Sequence, residues 1–115
     1  MIGKLSKDIE EEIEDKGFHI FRKSYSIRNM YPNAFPDYGE IKQINIGSIY
    51  AVRLFVKNIR EYPERIDSGF IDVKIESSSK GTYLSEILTL LPETFPIKKG
   101  DKLILSHDEL LYENG

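Results

Sequence analysis

The spacing of hydrophobic residues divides the chain at Gly17. Before this glycine, apolar residues recur every three or four positions and charged residues fill the positions between them: Ile2, Leu5, Ile9 and Ile13. This period predicts an amphipathic helix over about residues 4–16. Ser6 is the predicted N-cap, and Lys16 followed by Gly17 supplies a cation and a left-handed residue at the helix end.

After Gly17, β-branched and aromatic residues occur in runs that are broken by turn residues, which is typical of antiparallel β structure. In residues 70–76, three apolar residues alternate with three charged ones, so the pattern predicts a strand with one buried and one solvated face. The same criteria predict strands at about residues 18–28, 41–46, 49–59, 70–76, 82–91, 102–106 and 109–113.

Turn residues predict how some of these strands are joined. Gly47-Ser48 fits a two-residue type II′ hairpin between residues 41–46 and the strand that begins at Ile49. Residues 77–81 and 98–101 are polar, contain glycine and are predicted to be hairpin connections.

These elements predict a single domain that spans residues 1–115. We expect a mainly β fold, an antiparallel β-sandwich or a partly open barrel of about seven strands, with the amphipathic helix packed on the core or over a sheet edge. An α+β fold is the nearest alternative.

The net charge of −3 comes from the first 16 residues, which hold three lysines and six acidic residues. The rest of the chain has 13 basic and 13 acidic residues, so it has no net basic charge to collect phosphates. The acids between Asp8 and Asp15 are interpreted as a solvated helix face, with mimicry of a phosphate backbone as the alternative.

Few residues favour catalysis or metal binding. The chain has no cysteine, and its two histidines, His19 and His107, are far apart, so no metal site and no redox role are predicted. The sequence contains no nucleophile elbow and no Gly-rich phosphate loop, and we predict no cofactor. An enzyme that uses carboxylates at positions not visible in the sequence is retained as an alternative function.

We expect a cytoplasmic protein without a membrane-spanning segment. No apolar run approaches the roughly 18 residues that a bilayer requires, and Met1 leads directly into charged sequence.

Residues 29–39 carry the main candidate site, because Tyr31, Phe35 and Tyr38 lie among two prolines. Proline stiffens the chain, so aromatic rings in such a segment bind a partner with little loss of conformational entropy. The alternative is that the rings fold back as a lid over one end of the β core.

The predicted function is therefore non-catalytic protein–protein interaction, as a subunit, an inhibitor or a homo-oligomer. A single-stranded nucleic-acid binder is the second candidate. It rests on Arg53, Phe55 and Lys57, which share one strand face and would supply a stacking ring and two phosphate contacts.

Overall fold

The computed structural model describes residues 5–31, 38–58 and 65–114. Its elements are helix α1 (Lys7–Lys16), strand β1 (Phe18–Ile20), helix α2 (Lys23–Ile27), and strands β2 (Ile49–Asn58), β3 (Arg65–Ser79), β4 (Thr82–Ile87), β5 (Lys102–Ser106) and β6 (Tyr112–Glu113). The described residues form one curled antiparallel sheet, a half-barrel, with an N-terminal helix. The prediction of a mainly β, partly open barrel is confirmed, although the described residues contain six strands rather than about seven.

Helix α1 has the caps that the sequence predicts. The Ser6 side chain accepts a hydrogen bond from the Ile9 N–H, and the Gly17 N–H donates to the Ile13 carbonyl at 2.7 Å. Gly17 has a φ of +88°, and a Cβ atom there would lie 3.1 Å from Pro96 Cγ. Glycine is therefore required for both its left-handed backbone and its lack of a side chain.

Strand β2 pairs with three other strands, β1, β3 and β6. The strands follow the order β1-β2-β3-β4-β5, and β6 pairs with residues 50–51 of β2, next to the point where β1 pairs with residues 54–56. The chain thus crosses from β5 to the opposite side of the sheet through the 3₁₀ turn His107–Glu109.

Two hydrophobic clusters lie on the two faces of β2. The inner core fills the half-barrel and contains Ile20, Tyr50, Val52, Leu54, Val56, Ile71, Val73, Ile75, Ile87, Ile97, Leu105 and Leu110. The outer core lies between β2 and α1 and contains Leu5, Ile9, Ile13, Phe21, Tyr31, Phe55 and Leu111.

The predicted strand at 41–46 is wrong, because this segment forms no strand. Ile41 and Ile44 pack against the inner core, while the segment's backbone bonds to side chains rather than to a ladder. The Asn45 N–H donates to Tyr50 Oη at 2.9 Å, and the Ile41 carbonyl oxygen lies 2.7 Å from His107 Nε2. Hydrogen bonds to the side chains of Tyr50 and His107 replace the strand pairing that local alternation indicated.

The predicted hairpin at Gly47-Ser48 is also wrong, because residues 41–46 do not form the strand that it would join to β2. The Ser48 N–H donates to the Asn45 carbonyl across a four-residue turn in which Gly47 has a φ of +90°. A positive φ at the third position is the requirement of a type II turn, which leads the chain into β2. The Gly47 N–H then donates to the Ile75 carbonyl, so this segment pairs with β3.

Other predicted strands are present with different bounds. The strand predicted at 18–28 ends at Ile20 and is followed by α2, and the strand predicted at 82–91 ends at Ile87. The strand predicted at 109–113 is reduced to β6, whereas the one predicted at 70–76 extends in both directions to form β3. Residue 59, the last of the strand predicted at 49–59, lies outside the described residues.

Turns are present in both of the remaining predicted connections, although residues 77–79 of the connection predicted at 77–81 belong to β3. Lys80-Gly81 forms a two-residue hairpin loop between β3 and β4. The Asp101 N–H donates to the Lys98 carbonyl, which closes the turn at 98–101, but this turn is only the last part of the connection from β4 to β5.

Candidate functional site

The aromatic residues predicted to form a contact surface differ in their exposure to solvent. Tyr31 is only 6% exposed, and its ring stacks on Phe21 and Phe55 with centroid distances of 4.8 and 5.7 Å. Tyr38 is half-buried and stacks on the exposed Tyr112 at 6.4 Å. Phe35 lies outside the described residues. Tyr31 is therefore buried in the outer core between α1 and β2, whereas Tyr38 is partly exposed.

A chain of hydrogen bonds crosses the outer core. His19, which is fully buried, places Nδ1 2.9 Å from Glu12 Oε2 and Nε2 3.0 Å from Tyr31 Oη. Tyr31 Oη also accepts a hydrogen bond from the Arg22 N–H at 2.8 Å. These contacts connect α1, β1 and the segment after α2.

The pKa shifts in this chain indicate the direction of its hydrogen bonds. Burial lowers the pKa of His19, and the hydrogen bond to Glu12 opposes this effect without cancelling it. Burial raises the pKa of Glu12, but its hydrogen bond to His19 and the nearby charges outweigh burial, so this pKa is lowered overall. Burial raises the pKa of Tyr31. A neutral His19 thus donates a hydrogen bond from Nδ1 to the Glu12 carboxylate, and its Nε2 accepts a hydrogen bond from the Tyr31 hydroxyl.

The strand face predicted to bind nucleic acid is covered at its centre. Arg53, Phe55 and Lys57 share a face, as predicted, but Phe55 is fully buried in the outer core. Arg53 lies over the Phe55 ring at 5.5 Å, and Lys57 Nζ forms an ion pair with Glu14 of α1 at 2.6 Å. Helix α1 and the aromatic residues thus cover the Phe55 ring, which is not exposed for stacking on a base.

A recess of about 660 Å³ lies beside α2 and includes Tyr38 in its wall. Two of its polar side chains bind other parts of the protein, and Asp108 accepts hydrogen bonds from the Ser24 N–H and hydroxyl at 2.9 and 2.5 Å. His107 contacts the Ile41 carbonyl, as described above. Within the described residues, no group of three or more histidine, aspartate and glutamate side chains is arranged to hold a metal ion.

The outer face of β4 and β5 exposes apolar side chains. Leu84 and Ile104 are directly opposite each other across the two strands, and they are 36% and 73% exposed. Apolar residues on the solvent side of a sheet are common when scattered singly, but a cross-strand pair next to an open edge is a feature of interaction surfaces.

The outer edge of β5 has no strand partner among the described residues. The Ile87 N–H donates to the Asp101 carbonyl at 2.9 Å, and hydrogen-bonded pairs alternate along an antiparallel ladder. The register then makes Ser85–Leu103 and Tyr83–Leu105 the next hydrogen-bonded pairs. The backbone groups of the intervening residues, at positions 102, 104 and 106, consequently point away from β4 and toward the open edge.

One of these outward groups already has a partner. The Ser106 N–H donates to Glu109 Oε1 at 2.9 Å, which agrees with the alternation and closes the edge at its C-terminal end. The outward N–H and C=O groups of Lys102 and Ile104 remain at an edge without a strand partner in the part of the chain that the structure describes.

Lys102 of β5 does not block pairing of this edge with another chain. Charged side chains on edge strands often prevent pairing with another chain. The Lys102 ammonium instead forms ion pairs with Glu86 of β4, at 2.9 Å, and with Glu76 of β3. Glu76 is the extra residue at a register shift in β3. Because of these contacts, the Lys102 side chain extends over β4 toward β3, away from the open edge.

Sequence reasoning missed this edge although it predicted the strand at 102–106. Leu103, Ile104 and Leu105 are three consecutive apolar residues, so alternation does not show which of them faces outward. The run of three apolar residues in a short strand was the only available signal.

Comparison with known proteins yields no match: no family model, no curated protein and no solved structure resembles this chain. Among the helices that the structure describes, none has the length and apolar character needed to traverse a bilayer.

Proposed function

We propose that this protein is a small, cytoplasmic, non-catalytic interaction domain that binds another polypeptide at the open edge of β5. An extended segment of the partner would add a strand to the sheet, a mode in which backbone hydrogen bonds provide affinity and neighbouring side chains provide specificity. The absence of cysteine from the chain is compatible with the reducing cytoplasm.

The observation that carries the proposal is the combination of outward backbone groups and exposed apolar side chains at one place. Ile104 has both features, because its N–H and C=O point to the open edge and its side chain is 73% exposed. Leu84 extends the apolar surface on β4. By contrast, the fully buried His19 is surrounded by protein groups, and a substrate cannot reach it.

Photo-crosslinking in the native host tests this function. A benzophenone amino acid at position 104 should give crosslinked products that contain a second polypeptide, whether a different protein or another copy of this chain. The same probe at position 46 is the control, because Ile46 is 63% exposed but lies in the turn before β2. Equal products at both positions, no product, or a product removed by nuclease would contradict the proposal.

A further inference from the structure

We infer that the segment added to β5 is the β5 strand of a second copy, so that two half-barrel sheets join around a two-fold axis at Leu103. This inference rests on the proposed function, because it identifies the partner at the same edge. A two-fold axis gives antiparallel pairing of identical strands, as in isologous dimers.

The register follows from the backbone groups at the edge. With the axis at Leu103, Lys102 of one copy lies opposite Ile104 of the other. The outward N–H and C=O groups of these residues form four hydrogen bonds across the axis. The Ser106 N–H keeps its bond to Glu109, because Ser106 lies beyond the paired residues.

Registers with the two-fold axis at Ile104 or Lys102 form fewer hydrogen bonds or bring like charges together. An axis at Ile104 places Lys102 of the second copy against Ser106, where the Glu109 carboxylate already occupies the acceptor position. An axis at Lys102 places two lysines directly opposite each other and sets Ile104 against Gly100, whose N–H already donates to Ile87. Charge and hydrogen bonding therefore both select the axis at Leu103.

The side chains at this register also suit an interface. Leu103 is half-buried at the margin of the inner core, and it would contact Leu103 of the second copy as a close, non-hydrogen-bonded pair. On the outer face, the Ile104 side chains are diagonal neighbours within reach of each other. Because Lys102 pairs with Glu76 and Glu86 of its own chain, no uncompensated charge enters the contact.

The interface is small, since the contact is made by one short strand from each copy. We expect a buried area below the roughly 1,200–2,000 Å² of stable complexes and a dissociation constant between about 1 µM and 1 mM. The dimer should therefore form and dissociate as the protein concentration changes.

Sedimentation of the purified protein over a range of concentrations tests the association. The wild type should shift from the 13.3 kDa chain toward twice that mass as concentration rises. Ile104→Lys should remain monomeric, because it removes the apolar contact between the two Ile104 side chains and brings two added charges into the interface, whereas the matched control Ile46→Lys should associate like the wild type.

A crosslinking variant and hydrogen exchange test the register. The chain has no cysteine, so Leu103→Cys introduces a single thiol, and its pair at the axis would have Cα atoms about 4.5 Å apart, within disulfide range. Mild oxidation should give a covalent dimer of this variant and not of Ile46→Cys. In the unmodified protein, which needs no substitution to fold, exchange of the Lys102 and Ile104 amides should slow as concentration rises.

The outcomes separate this inference from the proposed function. A wild type that stays monomeric up to about 1 mM, or a dimer that Ile104→Lys leaves intact, overturns self-pairing. If position 104 then still crosslinks to a different protein in cells, the interaction function stands and only the identity of the partner is wrong. If neither association nor crosslinking at position 104 occurs, both are wrong.

Discussion

At the scale of single residues, His19 shows how one buried polar side chain holds three segments together. Its two ring nitrogens contact Glu12 of α1 and Tyr31, and Tyr31 in turn binds the backbone N–H of Arg22. Each group supplies the partner that another needs, so burial leaves none of these four groups unsatisfied. This network explains why a polar residue lies fully buried in the aromatic outer core.

The lowered pKa of His19 predicts how stability depends on pH. Because burial lowers this pKa below its ordinary value of 6.5, the unfolded chain binds a proton before the folded chain does. The stabilisation is complete above about pH 6.5 and decreases as pH falls toward the folded-state pKa. Urea unfolding between pH 7 and pH 5 should show that the free energy of unfolding decreases as pH falls.

The comparison of two histidine variants isolates this effect. His19→Gln should flatten the decrease between pH 7 and pH 5, while His107→Gln, which leaves the network intact, should retain it. If His19→Gln and the wild type lose stability equally over this range, the explanation is wrong.

At the scale of elements, the end of α1 combines a local signal with a tertiary contact. Gly17 ends the helix in the left-handed region, and the same residue lies against Pro96 from the connection between β4 and β5. Helix termination alone favours glycine, and a Cβ at this position would also lie so close to Pro96 that the proline would have to shift by a few tenths of an ångström. The position thus serves both the helix and the packing around it.

Gly17→Ala should lower the free energy of unfolding by about 1–2 kcal/mol, because alanine is strained at a φ of +88° and its Cβ would contact Pro96. Thermal and urea unfolding would measure the change. The control is Gly69→Ala in β3, where φ is not positive and no atom lies within 4 Å of the added Cβ. A loss of stability at position 69 that equals the loss at position 17 would contradict this account.

At the scale of the whole molecule, β2 joins the two hydrophobic clusters. Val52 and Leu54 face the inner core, while Phe55 faces the outer core. The crossing from β5 to β6 repeats this arrangement, since Leu110 enters the inner core and Leu111 the outer core. Neither cluster can lose its packing without exposing a strand that the other requires.

The two cores should therefore unfold together. Far-UV circular dichroism, which follows the sheet, and tyrosine fluorescence, which is free of tryptophan in this chain, should give coincident urea transitions. Leu110→Ala and Leu111→Ala should each lower stability by about 2–5 kcal/mol and shift both signals equally. A tyrosine transition that precedes the loss of the sheet would show that the outer core unfolds separately.

The elements with local signals were predictable from the sequence. The caps Ser6 and Gly17 and the loop Lys80-Gly81 depend on residues within a few positions of each other. The segment at 41–46 was not predictable, because the spacing of its isoleucines is that of a strand. Its backbone instead forms hydrogen bonds with the side chains of Tyr50 and His107, which the spacing does not show. Alternation correctly placed Arg53, Phe55 and Lys57 on one face of β2, but it did not show that α1 covers Phe55.

The amino-acid sequence by itself determined the amphipathic helix, the mainly antiparallel β character and several turns, because these follow from the spacing of apolar residues and the conformations of glycine. Only the tertiary structure decided that Tyr31 is core and that the outer edge of β5 has no strand partner among the described residues. Burial of a ring and the absence of a neighbouring strand depend on which distant segments meet. The direction in which Ile104 presents its side chain and backbone depends on the register with β4, which no pattern within residues 102–106 contains.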